Sequence, residues 1–511
     1  MLAKLTSYGL NGIEGIPVTV EVDITFGAQR IDTVGLPDVA VKESKERIRS
    51  AIINSGYSFP EKKVLINLAP ADIKKEGTVY DLPIALGILS ARGMFDPAAM
   101  DGFVIIGELA LDGSVREVTG VLPMVMNAYE RGFRSVMLPA ANAEEASFFK
   151  DMKVLPVHGL IEACEYFRGR RQIEPFPQLE WGKNGAVYSR DFSEIKGQKA
   201  AKRAAEIAAA GNHNLLMVGS PGSGKTMLAR SIPSILPELT MRESLEITRI
   251  HSVAGELRGK GVVRERPFRA PHHSASIPAL VGGGAAALPG EISLAHFGVL
   301  FMDEFTQFPP SVLEALRQPL EDGVVTVTRA AAKTTYPAEF MLVAAMNPCP
   351  CGNLGSKTKE CRCTPAQIER YRNRLSSPLL DRLDIHIEMN EVNYGDLTDR
   401  TPGESSEAVR ARVTRAREMQ SERYKDDGIL FNSQLNTAQM RKYCRMEPEA
   451  EEVLHMAYDR LRLSARAYTR VIKVARTIAD IDGSDRILKK HVLEAVTYRG
   501  LEEKYWGGRL G

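Results

Sequence analysis

A short apolar run, Leu215, Leu216, Met217 and Val218, leads directly into GSPGSGKT at 219–226 and then into the helical pattern TMLARSI. This is the G-x-x-x-x-G-K-[ST] pattern in the strand–loop–helix context that gives it meaning. The residue types follow from the chemistry of a phosphate chain. Glycines let backbone N–H groups turn inward around phosphate oxygens. The following helix N-terminus adds a favourable dipole. Gly219, Ser220, Pro221, Gly222, Ser223 and Gly224 are expected to form the cradle of an ATP site. Lys225 would reach the β- and γ-phosphates, and the Thr226 hydroxyl would ligate Mg2+.

Two further strand ends belong with this loop. GVLFMDE at 298–304 closes a buried strand on adjacent carboxylates. Asp303 is expected to hold Mg2+, and Glu304 to orient or activate the attacking water. FMLVAAMN ends at Asn347, whose amide can position water near the γ-phosphate. Together these ends predict one cleft at the carboxyl edge of a parallel sheet. A guanidinium best stabilises charge on a transferring phosphoryl group. Arg382 in SSPLLDRLD, and Arg466, Arg470 and Arg476 in LSARAYTRVIKVARTIAD, are candidates for it.

The rest of the 511 residues suggest about three domains in all. Before 168, strands and helices intermix. Val18, Val20, Val22 and Ile24 alternate as one strand face, helices are expected at 41–56 and 81–93, and a buried strand at 64–70. Two strands should meet at the Asp112-Gly113 turn. The domain reading is therefore an α+β domain at 1–170, a linker at 171–190, an α/β ATPase core at 191–392 and a helical lid at 393–511. Lys and Arg total 66 against 64 acidic residues, so a nucleic-acid partner requires local clustering of charge. No apolar stretch approaches ~18 residues, so no membrane helix is expected. MLAKLTSYGLNGIEG lacks the apolar core of a signal peptide, and a cytoplasmic protein is the expectation.

Local clustering does occur between the nucleotide motifs. The basic insert at about 249–290 carries Arg249, Arg258, Lys260, Arg264, Arg266 and Arg269, and a later hairpin places Arg329 and Lys333 at its turn. Arg258, Lys260, Arg264, Arg266, Arg269, Arg329 and Lys333 are candidate contacts to DNA phosphates; a solvated loop is the alternative. His272 and His273 have no third ligand near them in sequence, which favours a structural or DNA-contacting role over a metal site. Cys349, Cys351, Cys361 and Cys363 form C-x-C…C-x-C. Four thiolates can complete a structural Zn2+ site, and reduced cysteines in a flexible loop are the alternative.

With these motifs in hand, the chain resembles the YifB/ComM family of magnesium-chelatase-like AAA+ ATPases. The resemblance spans essentially the whole sequence and rests also on VGLPDVAVKESKERIRSAI, RPFRAPHHSAS and MNPCPCG. It implies a P-loop NTPase sheet with a C-terminal helical lid, assembled as a homo-hexamer with sites between subunits. In that arrangement Arg382 matches the arginine finger, Arg466 sensor 2, and Asn347 sensor 1. Ile195 and Gly197 match the segment against adenine. The family implies a helicase acting on single-stranded or branched DNA, promoting branch migration in recombination or natural transformation. Inserts of this branch project toward the ring pore. The alternatives are a chelatase-type motor and a protein-remodelling ATPase.

The N-terminal domain resembles the Lon protease domain, a ribosomal S5 domain 2-like α+β fold. Val79 falls at the nucleophilic serine and Leu122 at the catalytic lysine. Neither can attack a carbonyl or carry a proton, so protease activity is not expected.

Overall fold

The computed structural model describes the chain apart from residues 1, 182–187, 189, 258–260, 285–286, 329–332, 357, 393–394, 397–402 and 507–511, and apart from the side chains of 328, 333, 502 and 503. Two compact units divide it: Met1–Asn184 with Met241–Arg264, and Gly185–Thr240 with Glu265–Gly511.

In the first unit, the strand Leu2–Asn11 pairs antiparallel with Glu14–Thr25 along its whole length. Val18, Val20 and Val22 are fully buried, so the alternating face is the core face. Lys63–Ala69 extends the sheet antiparallel, and Ile31–Val34 pairs parallel with it at the edge. On the other side Phe103–Ile105, Ser135–Pro139 and Lys153–Val157 run parallel. These make one seven-stranded mixed sheet. The helix Asp81–Ala91 is buried at every position and packs on the Leu2–Asn11 and Glu14–Thr25 strands. Gly87 permits this approach: a Cβ there would meet Val22 Cγ2 at 2.7 Å. The helix expected at 41–56 runs Val39–Asn54, capped by the Asp38 carboxylate on the Val41 N–H. Glu108–Leu109 and Val115–Arg116 form the small hairpin around the Asp112-Gly113 turn.

Val79 and Leu122 are both buried in this unit's apolar core. Nearby, the Thr78 hydroxyl donates to the Glu108 carboxylate. Lys75 is buried with its ammonium on Ile73 O at 2.7 Å, and Lys74 pairs with Glu76. The helix Met241–Ala254 also belongs here. It buries Ile247 and Ile250, and its Arg249 donates to Ile13 O at 2.6 Å. The stretch expected as a single insert of the ATPase core is thus divided between the units at Arg264.

The second unit is built on a five-stranded sheet in the order Phe268–Arg269, Val299–Met302, Met341–Met346, Leu215–Gly219, Ile385–Met389. Every adjacent pair is parallel. Leu215–Gly219, Val299–Met302 and Met341–Met346 are buried at every residue, which is why they read as unbroken apolar runs. The helix Lys199–Gly211 packs its alanine-rich face below C-terminal helices that include Ser406–Tyr424 and Ala465–Ile481. The sheet and these helices share one apolar core. Among the described residues, no helix is long and apolar enough to cross a membrane.

Candidate functional site

The parallel order places the 219–226 loop between the ends of two neighbouring strands. Gly222 and Gly224 have φ of 83° and 91°, a conformation side chains avoid, and they turn the loop into the helix Lys225–Ser231. Gly219 is required by space, since a Cβ would lie 2.5 Å from Met389 O.

Lys225 is largely buried. Its ammonium donates to Gly219 O at 2.7 Å, Ser220 O at 2.9 Å and Asn347 Oδ1 at 3.3 Å. Burial lowers its pKa, and the nearby Asp303 carboxylate works against that shift. Thr226 Oγ1 donates to Asp303 Oδ2 at 2.9 Å. Two hard oxygen donors so placed fit a Mg2+ ion. The other Asp303 oxygen accepts the Glu304 N–H at 2.9 Å, and Glu304 takes the left-handed conformation with φ 50°. The Glu304 side chain is 55% exposed, with its Oε2 3.3 Å from His273 Nδ1.

The structure therefore brings Lys225, Thr226, Asp303, Glu304 and Asn347 into one cleft. Two of its members were not assigned to this cleft from sequence: His273 was read as structural or DNA-contacting, and Gln198 was not named. His273 is the imidazole on Glu304; it follows the edge strand Phe268–Arg269, whose pairing beside Val299–Met302 carries it there. Gln198 is the other. Its amide donates to Ser223 O at 3.0 Å and Asn390 O at 2.6 Å, tying the segment after buried Ile195 and Gly197 to the phosphate loop. Only its position in DFSEIKGQ signals it.

The arginine candidates divide. Arg382 is nearly buried, donates to Pro378 O at 2.6 Å and pairs with Glu321. Burial lowers its pKa, while Glu321 raises it. Arg466 is exposed at the start of Ala465–Ile481 and lies within electrostatic reach of Arg382. Arg470 pairs with Asp384 at 2.9 Å, and His213 Nδ1 lies 3.2 Å from the other Asp384 oxygen. Arg476 is fully buried on Asp480, Ser484 and Asp485. These last two arginines are structural.

Two expected DNA contacts are committed internally. Arg266 is buried and donates to the carbonyls of Pro237 and Phe297 at 2.6 and 2.9 Å. Arg269 forms a two-point pair with Glu291 at 2.6 and 2.8 Å. Both are corrections: these guanidiniums close the fold rather than reach for phosphates. Arg264 lies 6.0 Å from the Phe148 ring centroid. Arg258, Lys260 and Arg329 lie outside the described residues, as does the Lys333 side chain.

Cys349, Cys351, Cys361 and Cys363 converge, with all four sulfurs within 4.8 Å of one another. Three of the separations are 3.5, 3.7 and 3.7 Å. A tetrahedral Zn2+ with ~2.3 Å bonds needs sulfurs about 3.8 Å apart, so the set fits that ion. His272 and His273 stack on each other at 4.0 Å instead.

Comparison with known proteins matches this layout. Residues 191–397 match the family described as magnesium chelatase, subunit ChlI. Residues 20–142 match subunit ChlI of Mg-chelatase, and 403–499 match the ChlI C-terminal family. The chain is 45% identical over 493 residues to "Uncharacterized protein YifB" of Escherichia coli K12, covering 96% of each. It is 42% identical over 506 residues to "Competence protein ComM" of Haemophilus influenzae, covering 98% of each. The "Magnesium-chelatase 67 kDa subunit" of Chlorobaculum parvum shares 28% identity over 159 residues, 31% of this chain and 23% of that one.

Proposed function

We propose, for a chain that belongs to the YifB/ComM family of magnesium-chelatase-like AAA+ ATPases, that ATP cleavage drives a homo-hexameric ring along single-stranded or branched DNA. The observation that carries the reading is the joining of three strand ends through Lys225–Asn347 and Thr226–Asp303. Lys225 is held where an ammonium can exchange loop carbonyls for β- and γ-phosphate oxygens. Asn347 and Glu304 flank that position, one to hold the attacking water and the other to take its proton. Thr226 and Asp303 would hold Mg2+, which would supply positive charge to neutralise the phosphates. Ile195 and Gly197 would lie against adenine.

Arg382 would serve the site of a neighbouring subunit, leaving Glu321 as the γ-phosphate takes its place, with Arg466 acting from the C-terminal helices. Zn2+ in the cysteine set would be structural, because four thiolates leave no open position. The N-terminal unit would be a Lon-like fold without its serine–lysine pair, used for assembly, DNA contact or partner docking. A relative bearing the name competence protein supports DNA as the partner, in recombination or natural transformation. The shorter match to a magnesium-chelatase subunit supports the other reading, a chelatase-type or protein-remodelling motor.

The deciding experiment measures ATP hydrolysis with and without single-stranded and forked DNA. DNA should raise the rate, Lys225→Ala should abolish turnover, and Glu304→Gln should bind ATP without cleaving it. A rate indifferent to every DNA form would move the assignment to the remodelling reading.

A further inference from the structure

Beside the four-cysteine set lies a cavity of about 490 Å3 that the nucleotide site does not use. Arg362, Arg370 and Arg374 line it with Gln307, Gln367 and Tyr371. No aspartate or glutamate is among its lining residues. Arg362 sits between Cys361 and Cys363, so the cysteine set fixes its backbone. Arg370 is on the helix Pro365–Arg372, whose start is closed by a Thr364–Gln367 capping box. Both guanidiniums are exposed. Arg374 donates to Thr306 O at 3.1 Å and Gln307 Oε1 at 3.2 Å, in the turn that directly follows Glu304.

We propose that this cleft binds the sugar–phosphate backbone of single-stranded nucleic acid. Planar guanidiniums present paired donors to phosphate oxygens, and the glutamine amides add donors of the same kind. The volume suits a nucleotide or two of one strand rather than a duplex. Segment 359–374 carries five cations, Lys359, Arg362, Arg370, Arg372 and Arg374, against Glu360 and Glu369. Its excess of positive charge exceeds what the chain as a whole provides, with 66 cations against 64 acids. Through Arg374, strand occupancy bears on the turn that carries Glu304, which gives DNA a direct route to the hydrolytic carboxylate. The proposal rests on the DNA-motor reading and names the residues that would hold the strand.

The test uses the full chain and a fluorescent oligothymidylate, with affinity followed against salt concentration. Arg362→Ala/Arg370→Ala should weaken binding about tenfold or more. Every phosphate that is no longer neutralised should flatten the logarithmic salt slope by about 0.7. Arg362→Lys/Arg370→Lys, which keeps the charge, should recover much of the affinity. Binding of a fluorescent ATP analogue, and metal content, report the fold of each variant. Alanine variants that bind the strand like the wild type overturn the cleft and leave the DNA motor standing. A wild-type chain that binds no strand overturns both. Variants that keep strand affinity but lose either ring assembly or bound metal overturn it too; the arginines would then serve a subunit contact or neutralise the thiolates.

Discussion

At the scale of single residues, the contact of His273 with Glu304 has the sharpest consequence. Glu304 adopts a left-handed backbone conformation that costs a non-glycine residue about 1–2 kcal/mol. Its N–H is fixed on Asp303, while its carboxylate is more than half exposed and restrained by the His273 imidazole at 3.3 Å. Removing that imidazole frees the carboxylate without touching the phosphate loop. His273→Ala should therefore lower kcat on the order of tenfold while the KM for ATP stays near wild type. His273→Asn, which keeps a donor, should lose less. A steady-state ATP titration of the three proteins separates these effects. The convergence of Lys225, Thr226, Asp303, Glu304 and Asn347 was legible in the sequence because each follows an apolar run whose partners are fixed by a parallel sheet. His273 was not, because it follows a short edge strand whose placement depends on pairing rather than on pattern. Arg266 and Arg269 were misread for a different reason. A count of cations cannot say that Arg266 closes over two carbonyls or that Arg269 is held by Glu291.

At the scale of elements, the helix Met241–Ala254 shows what composition conceals. The basic insert expected to reach for DNA begins at its Arg249, yet its apolar face, Ile247 and Ile250, is buried, and its Ser252 donates to buried Glu145 at 3.0 Å. Glu145 also accepts from Asn142 Nδ2 at 2.7 Å and from the Leu122 N–H at 3.3 Å. Burial nevertheless pushes its pKa up to about 7, against these donors. The folded-state value lies above the unfolded value of 4.5, so this group's contribution is complete below about pH 4.5 and is lost as pH rises through about 7. Glu145→Gln removes the titration. The stability of wild type relative to that variant should fall between about pH 5 and 8, by up to roughly 3 kcal/mol. Paired thermal melts across that range read the difference directly, and parallel curves would show that Glu145 stays ionised when folded. In the same unit, the helix Asp81–Ala91 was the easier reading: an uninterrupted apolar segment between turn signals admits few other placements.

At the scale of the whole molecule, the chain passes between its two units at three points, 184/185, 240/241 and 264/265. A reading made along the sequence assigns 241–264 to the ATPase core, since it falls between the phosphate loop and the Asp303–Glu304 strand. Long-range packing assigns it to the N-terminal unit instead, and no local pattern carries that information. The consequence for dissection is specific. A fragment spanning 185–511 retains the five-stranded sheet and the C-terminal helices that share its core, but it also retains a helix stripped of the partners that cover Ile247 and Ile250. Exposing those side chains forfeits ~1.5–3 kcal/mol each and offers an apolar stripe to other copies. That fragment should express poorly or aggregate. The same fragment with 241–264 replaced by a Gly/Ser linker should be soluble and bind a fluorescent ATP analogue, because Lys225, Thr226, Asp303 and Asn347 all lie within the second unit. Light scattering and nucleotide titration of the two fragments decide the matter. Equal solubility would mean that the helix does not depend on the N-terminal unit for its cover. Loss of nucleotide binding in the soluble fragment would mean that the nucleotide cleft depends on more than the residues it contains.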